Sequence, residues 1–339
     1  MTNRNIEKPL KAPFPYFGGK SLIAADVWRL FGPIKNYVEP FAGSLAVLLA
    51  RPTPFAGPET VNDWSCHLVN AWRAIQAKPE ELAELCVGVV AEVNTEAQHF
   101  WLLRRADELR DKLGDPSYCD LHAAAYYIKG ACEWIGCGWC GGDGPWQWDG
   151  VWSKSNSGRG VKRKLPHLAD SGKGVNRQLP HLADSGCGVN RKHLGESTHA
   201  GRVAWVSGWL CSLRDRLTSV RITCGDWKRV ANSRTTTIKH GLTGIFLDPP
   251  YDGTEYVYGS SIPISQEVRQ WCIDNASEPN LRIIVCGRGK EHDELIDFGY
   301  KSIGWKARKG YSNKKDNDTE TLWTKIPDCE DDLFNRTQS

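Results

Sequence analysis

Gly244-Ile245-Phe246-Leu247-Asp248-Pro249-Pro250-Tyr251 is the stretch from which the rest of the chain can be read. The apolar run through Leu247 has the length and character of a short buried strand. The two prolines that follow cannot extend a strand ladder, because they lack backbone donors and hold φ fixed. The chain must therefore leave the sheet where it presents a carboxylate, a carbonyl and an aromatic ring. In an open α/β sheet that carboxyl edge is where ligands bind. A rigid Pro-Pro turn bearing an acceptor and a flat ring suits the amino edge of a planar base. An acidic turn without chemistry is the plain alternative.

Working outward, a strand–turn–helix rhythm recurs. Tyr16-Phe17-Gly18-Gly19-Lys20 is a glycine-bearing turn before a helical pattern with Leu22, Ile23, Val27, Leu30 and Phe31 on one face. Tyr37-Val38-Glu39-Pro40 ends a strand and leads into the tight turn Phe41-Ala42-Gly43-Ser44. Thr60-Val61-Asn62-Asp63 is a second strand ending in an acid, and an amphipathic helix is predicted from about Trp64 to Gln76. Helical patterns run from about 79 to 135. Further strands are predicted at Val220–Cys224 and Leu281–Cys286, with a closing hairpin from Lys301–Ala307 and Glu320–Lys325. The fold class expected is α/β, a doubly wound, Rossmann-like sheet with that hairpin and an inserted lobe.

Between about Gly136 and Gly201 the periodicity stops. Gly160–Lys173 recurs as Gly174–Cys187, and a shortened third copy begins at Gly188. So short a repeat in so few copies does not build a solenoid, and its glycines and prolines point to stacked turns or loops. Over 154–202 there are ten cations against three acids, and Trp146, Trp148 and Trp152 lie just upstream. Lys162, Arg163, Lys164, Arg177, Arg191 and Lys192 are the candidates for phosphate contacts. A second basic patch, Lys306, Arg308, Lys309, Lys314 and Lys315, lies on the closing hairpin.

The 339 residues can bury a sizeable core, and a net charge of +3 declares no nucleic-acid partner by itself. No apolar run approaches the ~18 residues of a membrane span, and the polar N-terminus has no signal-peptide core, so a cytoplasmic protein without membrane association is expected. The twelve cysteines are scattered and mostly sit in apolar segments, as reduced core thiols do. Cys132, Cys137 and Cys140 have one two-residue spacing but no second pair at matching distance, and no metal is expected.

Taken in order, Tyr16–Lys20, Val38–Ser44, Asn62-Asp63 and Asp248–Tyr251 resemble the motifs of the Dam-type (D12 class) DNA adenine-N6 methyltransferases, of the phage or prophage kind. The resemblance covers most of the chain outside the insertion. It implies S-adenosyl-L-methionine as cofactor, double-stranded DNA as partner and, for some such enzymes, a cognate restriction endonuclease; it sets no oligomeric state. It also implies a catalytic domain of residues 14–78 and 203–326, with target recognition in 79–202. Where the family often carries a further glycine, this chain has Leu45, which bears on the width of the turn.

The cofactor presents a carboxylate, an ammonium, a ribose diol and an adenine. Gly18, Gly19 and Gly43 allow close backbone approach, and Lys20 can offer a charge to the carboxylate or remain a solvated lysine. By resemblance Tyr16, Phe17, Glu39, Pro40, Phe41 and Ala42 join the cofactor set. Asp63 can bind both ribose hydroxyls, which a nicotinamide cofactor would also require, but the Gly43 turn lacks the G-x-G-x-x-G spacing. Asp226 and Trp227 flank the adenine by resemblance, with Trp227 a stacking wall or a core residue. Asp248 and the Pro249 carbonyl, held by Pro250, would accept the two N–H groups of a target amino nitrogen. A base inside a duplex must be flipped out to reach them, with Tyr251 as its stacking platform. Cytosine N4 offers the same amino geometry, and a non-catalytic DNA-binding protein keeping the fold is the alternative from another class.

Overall fold

A computed structural model of the chain describes residues 10–16, 18–88, 92–133, 139–140, 146–148, 152–154, 198–250, 264–306 and 319–325. The strands are β1 (Asn36–Glu39), β2 (Glu59–Asp63), β3 (Trp146–Trp148), β4 (Trp152–Lys154), β5 (Val220–Cys224), β6 (Thr243–Leu247), β7 (Leu281–Arg288), β8 (Lys301–Lys306) and β9 (Thr319–Lys325). The helices are α1 (Ala24–Phe31), α2 (Ala46–Leu49), α3 (Cys66–Ala77), α4 (Pro79–Cys86), α5 (Glu92–Arg104), α6 (Ala106–Lys112), α7 (Leu121–Glu133), α8 (His199–Leu217), α9 (Lys228–Ala231) and α10 (Ile264–Asp274). The chain forms two compact units. One holds Met1–Gly19, Gly43–Leu49 and Ser65–Thr218; the other holds Lys20–Ala42, Ala50–Trp64 and Ser219–Ser339.

The second unit is built on a seven-stranded sheet in the order β5-β2-β1-β6-β7-β9-β8. The first five strands are mutually parallel, and β9 runs antiparallel to both β7 and β8. Every residue of β1, β2 and β6 is buried. That pattern requires both faces of the sheet to be covered, and alternate side chains show what covers them. Val38, Ile245, Leu247, Ile283 and Val285 pack with Val268 and Trp271 of α10 and Val230 of α9. On the opposite face, Tyr37 meets Trp28 and Phe31 of α1 at ring-centroid distances of 4.8 and 6.1 Å. Gly244 has to be small there, since a Cβ would lie 2.6 Å from Ile34 Cδ1. Arg282, on the same face, donates to the carbonyls of Phe31 and Pro33 at the end of α1. Helices on both faces make this a doubly wound α/β sheet, as predicted.

The first unit is helical, with α3 at its centre. This helix is predicted to be amphipathic, yet Cys66 through Ile75 are all buried. Its polar side chains hold the chain that wraps it. Asn70 exchanges two hydrogen bonds with the backbone of Asp120, both at 2.8 Å, and Arg73 donates to the carbonyls of Leu113 and Asp115. By packing, α3 and α8 go with α4–α7. Leu22 also departs from expectation. The N–H of Ile23 bonds to the Lys20 carbonyl, so residues before Ala24 form a turn and leave Leu22 half exposed. Nine cysteines among the described residues are free thiols. No described helix is long and apolar enough to cross a membrane.

Candidate active site

The order of the sheet decides where chemistry can occur. From β1 the chain proceeds to β2 and β5 on one side, and it returns through β6 to β7 on the other. The carboxyl ends of β1 and β6 therefore flank the switch point, where an open α/β sheet has its crevice. Glu39 and the turn Pro40-Phe41 leave β1 there; Asp248 leaves β6, followed by Pro249 and Pro250.

Asp248 shows no partner in the sequence, and the structure supplies one. Lys20 Nζ lies 2.9 Å from Asp248 Oδ2 and 3.5 Å from Glu320 Oε2. The lysine, read as a partner for the cofactor carboxylate, is only 4% exposed and faces these two acids. Burial alone disfavours its charge, but Asp248, Cys286 and Glu320 outweigh that and raise its pKa above the ordinary lysine value. Lys20 is therefore a permanent cation at neutral pH.

On the other side of β1, Asn62 ties three strand ends together. Its Nδ2 donates to the carbonyls of Pro40 (3.1 Å) and Gly225 (2.8 Å), and its Oδ1 accepts from Thr223 Oγ1. The Ala42 N–H bonds to the Asn62 carbonyl, and the Gly225 N–H bonds to that of Asp63. Asp63 is thereby fixed as the buried last residue of β2. Glu39 is buried too and accepts from Tyr37 Oη at 3.0 Å. Asp226 uses Oδ1 to accept the Lys228 N–H at the start of α9. Trp227 is a core residue between Phe41 and Trp271, and its buried Nε1 has no hydrogen-bond partner.

The first unit brings together a different part of the predicted set. The Gly19 N–H bonds to the Tyr16 carbonyl across Gly18, which has φ +77°. A Cβ on Gly43, at φ +48°, would lie 2.8 Å from Tyr16 Cε1, so only glycine fits against that ring. The Gly43 carbonyl accepts from Trp72 Nε1. Leu45 itself adopts φ +55°, a conformation that favours glycine, while its side chain is completely buried. The turn keeps the shape a glycine would give it, and a leucine fills the core below.

Phe17, Tyr251 and Cys137 lie outside the described residues, as do Lys162, Arg163, Lys164, Arg177, Arg191 and Lys192, the repeats, and the hairpin cations beyond Lys306. Sequence reasoning missed Glu320 and the clamp role of Asn62. An acid at an alternating position of an otherwise apolar and threonine-rich strand is the signal that could have found Glu320. A groove of about 620 Å³ lies at the amino ends of β1 and β2, lined by Trp28, Pro33, Ile34, Pro54, Phe55 and Arg51. Arg51 is occupied there by Glu59 at 2.9 Å, and none of the predicted site residues lines this groove.

A buried cation thus lies between two acids at the switch point of a doubly wound sheet, and Asp63 closes β2 in the same sheet. Residues 16–126 match the family of D12 class N6 adenine-specific DNA methyltransferases. The matched segment holds Tyr16 through Lys20, the β1 turn and Asp63, and it ends before Asp248. The match favours neither cytosine N4 methylation nor a non-catalytic binding protein. No curated protein matches the chain.

Proposed function

We propose that the chain methylates the N6 amino group of a flipped-out adenine in double-stranded DNA, with Asp248 and the Pro249 carbonyl accepting from the amino hydrogens. The observation that carries this reading is the Lys20–Asp248 pair at the carboxyl end of β6. S-adenosyl-L-methionine, when bound, supplies an electrophilic methyl group. The donor set fits such a group: Asp63 closes β2 as an acid for a ribose diol. We assign Tyr16, Phe17, Gly18, Gly19, Glu39, Pro40, Phe41, Ala42 and Gly43 to its binding, with Asp226 and Trp227 nearby.

Lys20 is assigned to holding Asp248. With Oδ2 fixed by the ammonium, the carboxylate is pre-set for the target nitrogen and needs little reorganisation. Asp248 can take the proton that the nitrogen releases after methylation. Tyr251 stacks on the extruded base, worth about 1–3 kcal/mol. Residues 14–78 and 203–326 serve as the catalytic part and 79–202 as target recognition, with the basic insertion on the phosphates. A cytoplasmic location and a cognate restriction endonuclease as partner belong to the same proposal.

The test is Asp248→Ala, assayed with radiolabelled methyl donor on DNA lacking adenine methylation and followed by nucleoside analysis. The wild type should yield N6-methyladenine and the variant none. N4-methylcytosine as product, or wild-type turnover in the variant, would overturn the reading.

A further inference from the structure

Glu320 stands outside every motif of the methyltransferase reading, yet its carboxylate reaches the same ammonium as Asp248. It is carried by β9, the antiparallel strand, in register with Arg288 of β7. Glu320 Oε2 lies 3.5 Å from Lys20 Nζ and 3.9 Å from Cys286 Sγ, and its side chain is 13% exposed. The Asp248 side chain is 21% exposed and that of Lys20 only 4%. Three charged groups therefore share a small, largely desolvated volume, where electrostatic interactions exceed those in water.

We propose that Glu320 is a positioning residue for methyl transfer, acting through Lys20 to set the charge and aim of Asp248; this rests on the reading of Asp248 given above. Two carboxylates and one ammonium give the cluster a net charge of −1. Positive charge develops on the amino nitrogen as it is methylated, and a net negative cluster stabilises it. Without Glu320, more of the ammonium charge bears on Asp248. The lysine then competes with the target nitrogen for the carboxylate that must accept its hydrogens. Glu320 also reaches the Lys20 ammonium at 3.5 Å, so that the ammonium has two anchors.

The experiment compares wild type, Asp248→Asn, Glu320→Gln and Glu320→Asp in steady-state assays on DNA lacking adenine methylation, with thermal melts of each. For Glu320→Gln we expect kcat to fall about 10-fold or more, with KM for DNA and for the methyl donor within about twofold. The acid limb of its kcat profile should move to lower pH, because loss of the Glu320 charge lets Lys20 lower the Asp248 pKa further. A purely structural role would lower the melting temperature and leave that limb in place. Glu320→Asp should fall between the two in rate. Inactive Asp248→Asn together with wild-type kcat in Glu320→Gln would overturn the role of Glu320 alone. Wild-type activity in Asp248→Asn would overturn the reading of the site itself. Should Glu320→Gln fail to fold, Glu320→Asp decides: reduced kcat with unchanged KM supports the proposal, and wild-type kcat overturns it.

Discussion

Lys20 and Asp248, 228 positions apart in the sequence, meet at 2.9 Å between Nζ and Oδ2. The acid that the strand end presents is thus one arm of a buried ion-pair network, and removing Lys20 leaves two carboxylates without their shared cation. Breaking a buried pair by deleting one member typically costs about 3–5 kcal/mol.

Lys20→Met should therefore destabilise the second unit in a pH-dependent way. It leaves the Asp248 and Glu320 carboxylates facing each other, which raises the pKa of one of them above its unfolded value. Stability held by such a group is complete below the unfolded pKa and is lost as pH rises through the folded one. Urea midpoints should consequently fall further below wild type at pH 8 than at pH 5. Equal losses at the two pH values would mean that the carboxylates do not interact.

Leu45 offers a test of the turn beside Gly43. Truncating a buried leucine to alanine costs about 2–5 kcal/mol, and glycine is ordinarily about 0.5–1 kcal/mol worse than alanine. At φ +55° that order should reverse, since a left-handed residue with a Cβ is disfavoured by about 1–2 kcal/mol. Urea denaturation should find Leu45→Gly no less stable than Leu45→Ala. A clearly weaker glycine variant would remove the turn strain from the account.

His67 stacks on Tyr127 in the helical unit, with neither ring nitrogen hydrogen-bonded. Burial first, then Arg110 and His99, lower its pKa to about 4; burial lowers that of His99 to about 4 as well. Both are depressed below the ~6.5 of an unfolded histidine, so the unfolded state binds more protons in between. Stability should be complete above pH 6.5 and decline as pH falls toward 4. His67→Leu should flatten that decline, leaving the share due to His99. An unchanged slope would show that His67 does not titrate with unfolding.

The basic insertion should govern DNA affinity through counterion release. Replacing Lys162, Arg163, Lys164, Arg177 and Arg191 by neutral residues should weaken DNA binding and reduce the magnitude of the salt slope, by about 0.9 for each phosphate no longer neutralised. Affinity for S-adenosyl-L-methionine should stay near wild type. An unchanged salt slope would assign the phosphates to other segments.

Much of the parallel sheet is legible in the sequence, because its strands are short apolar runs that end in acids or prolines. Asp248 and Asp63 follow that rule, and both close buried strands. The role of Lys20 is not legible, since a lysine after two glycines looks alike whether it faces solvent or a carboxylate. Its partners come from β6 and β9, and pairing across such distances leaves no local pattern. The sequence leaves Trp227 open between wall and core, and its neighbours Phe41 and Trp271 are those of a core residue. The amphipathic expectation for α3 fails because Asn70 and Arg73 are polar for the sake of neighbouring carbonyls, not of water.

That the second carboxylate on Lys20 arrives on β9 also orders events during synthesis. A chain emerging from the ribosome has Lys20 early and Asp248 much later, but the second carboxylate on Lys20 comes only with residue 320. Until the hairpin docks against β7, Asp248 and Lys20 can only neutralise each other. The ammonium of Lys20 thus gains its second carboxylate only once β9 has been made.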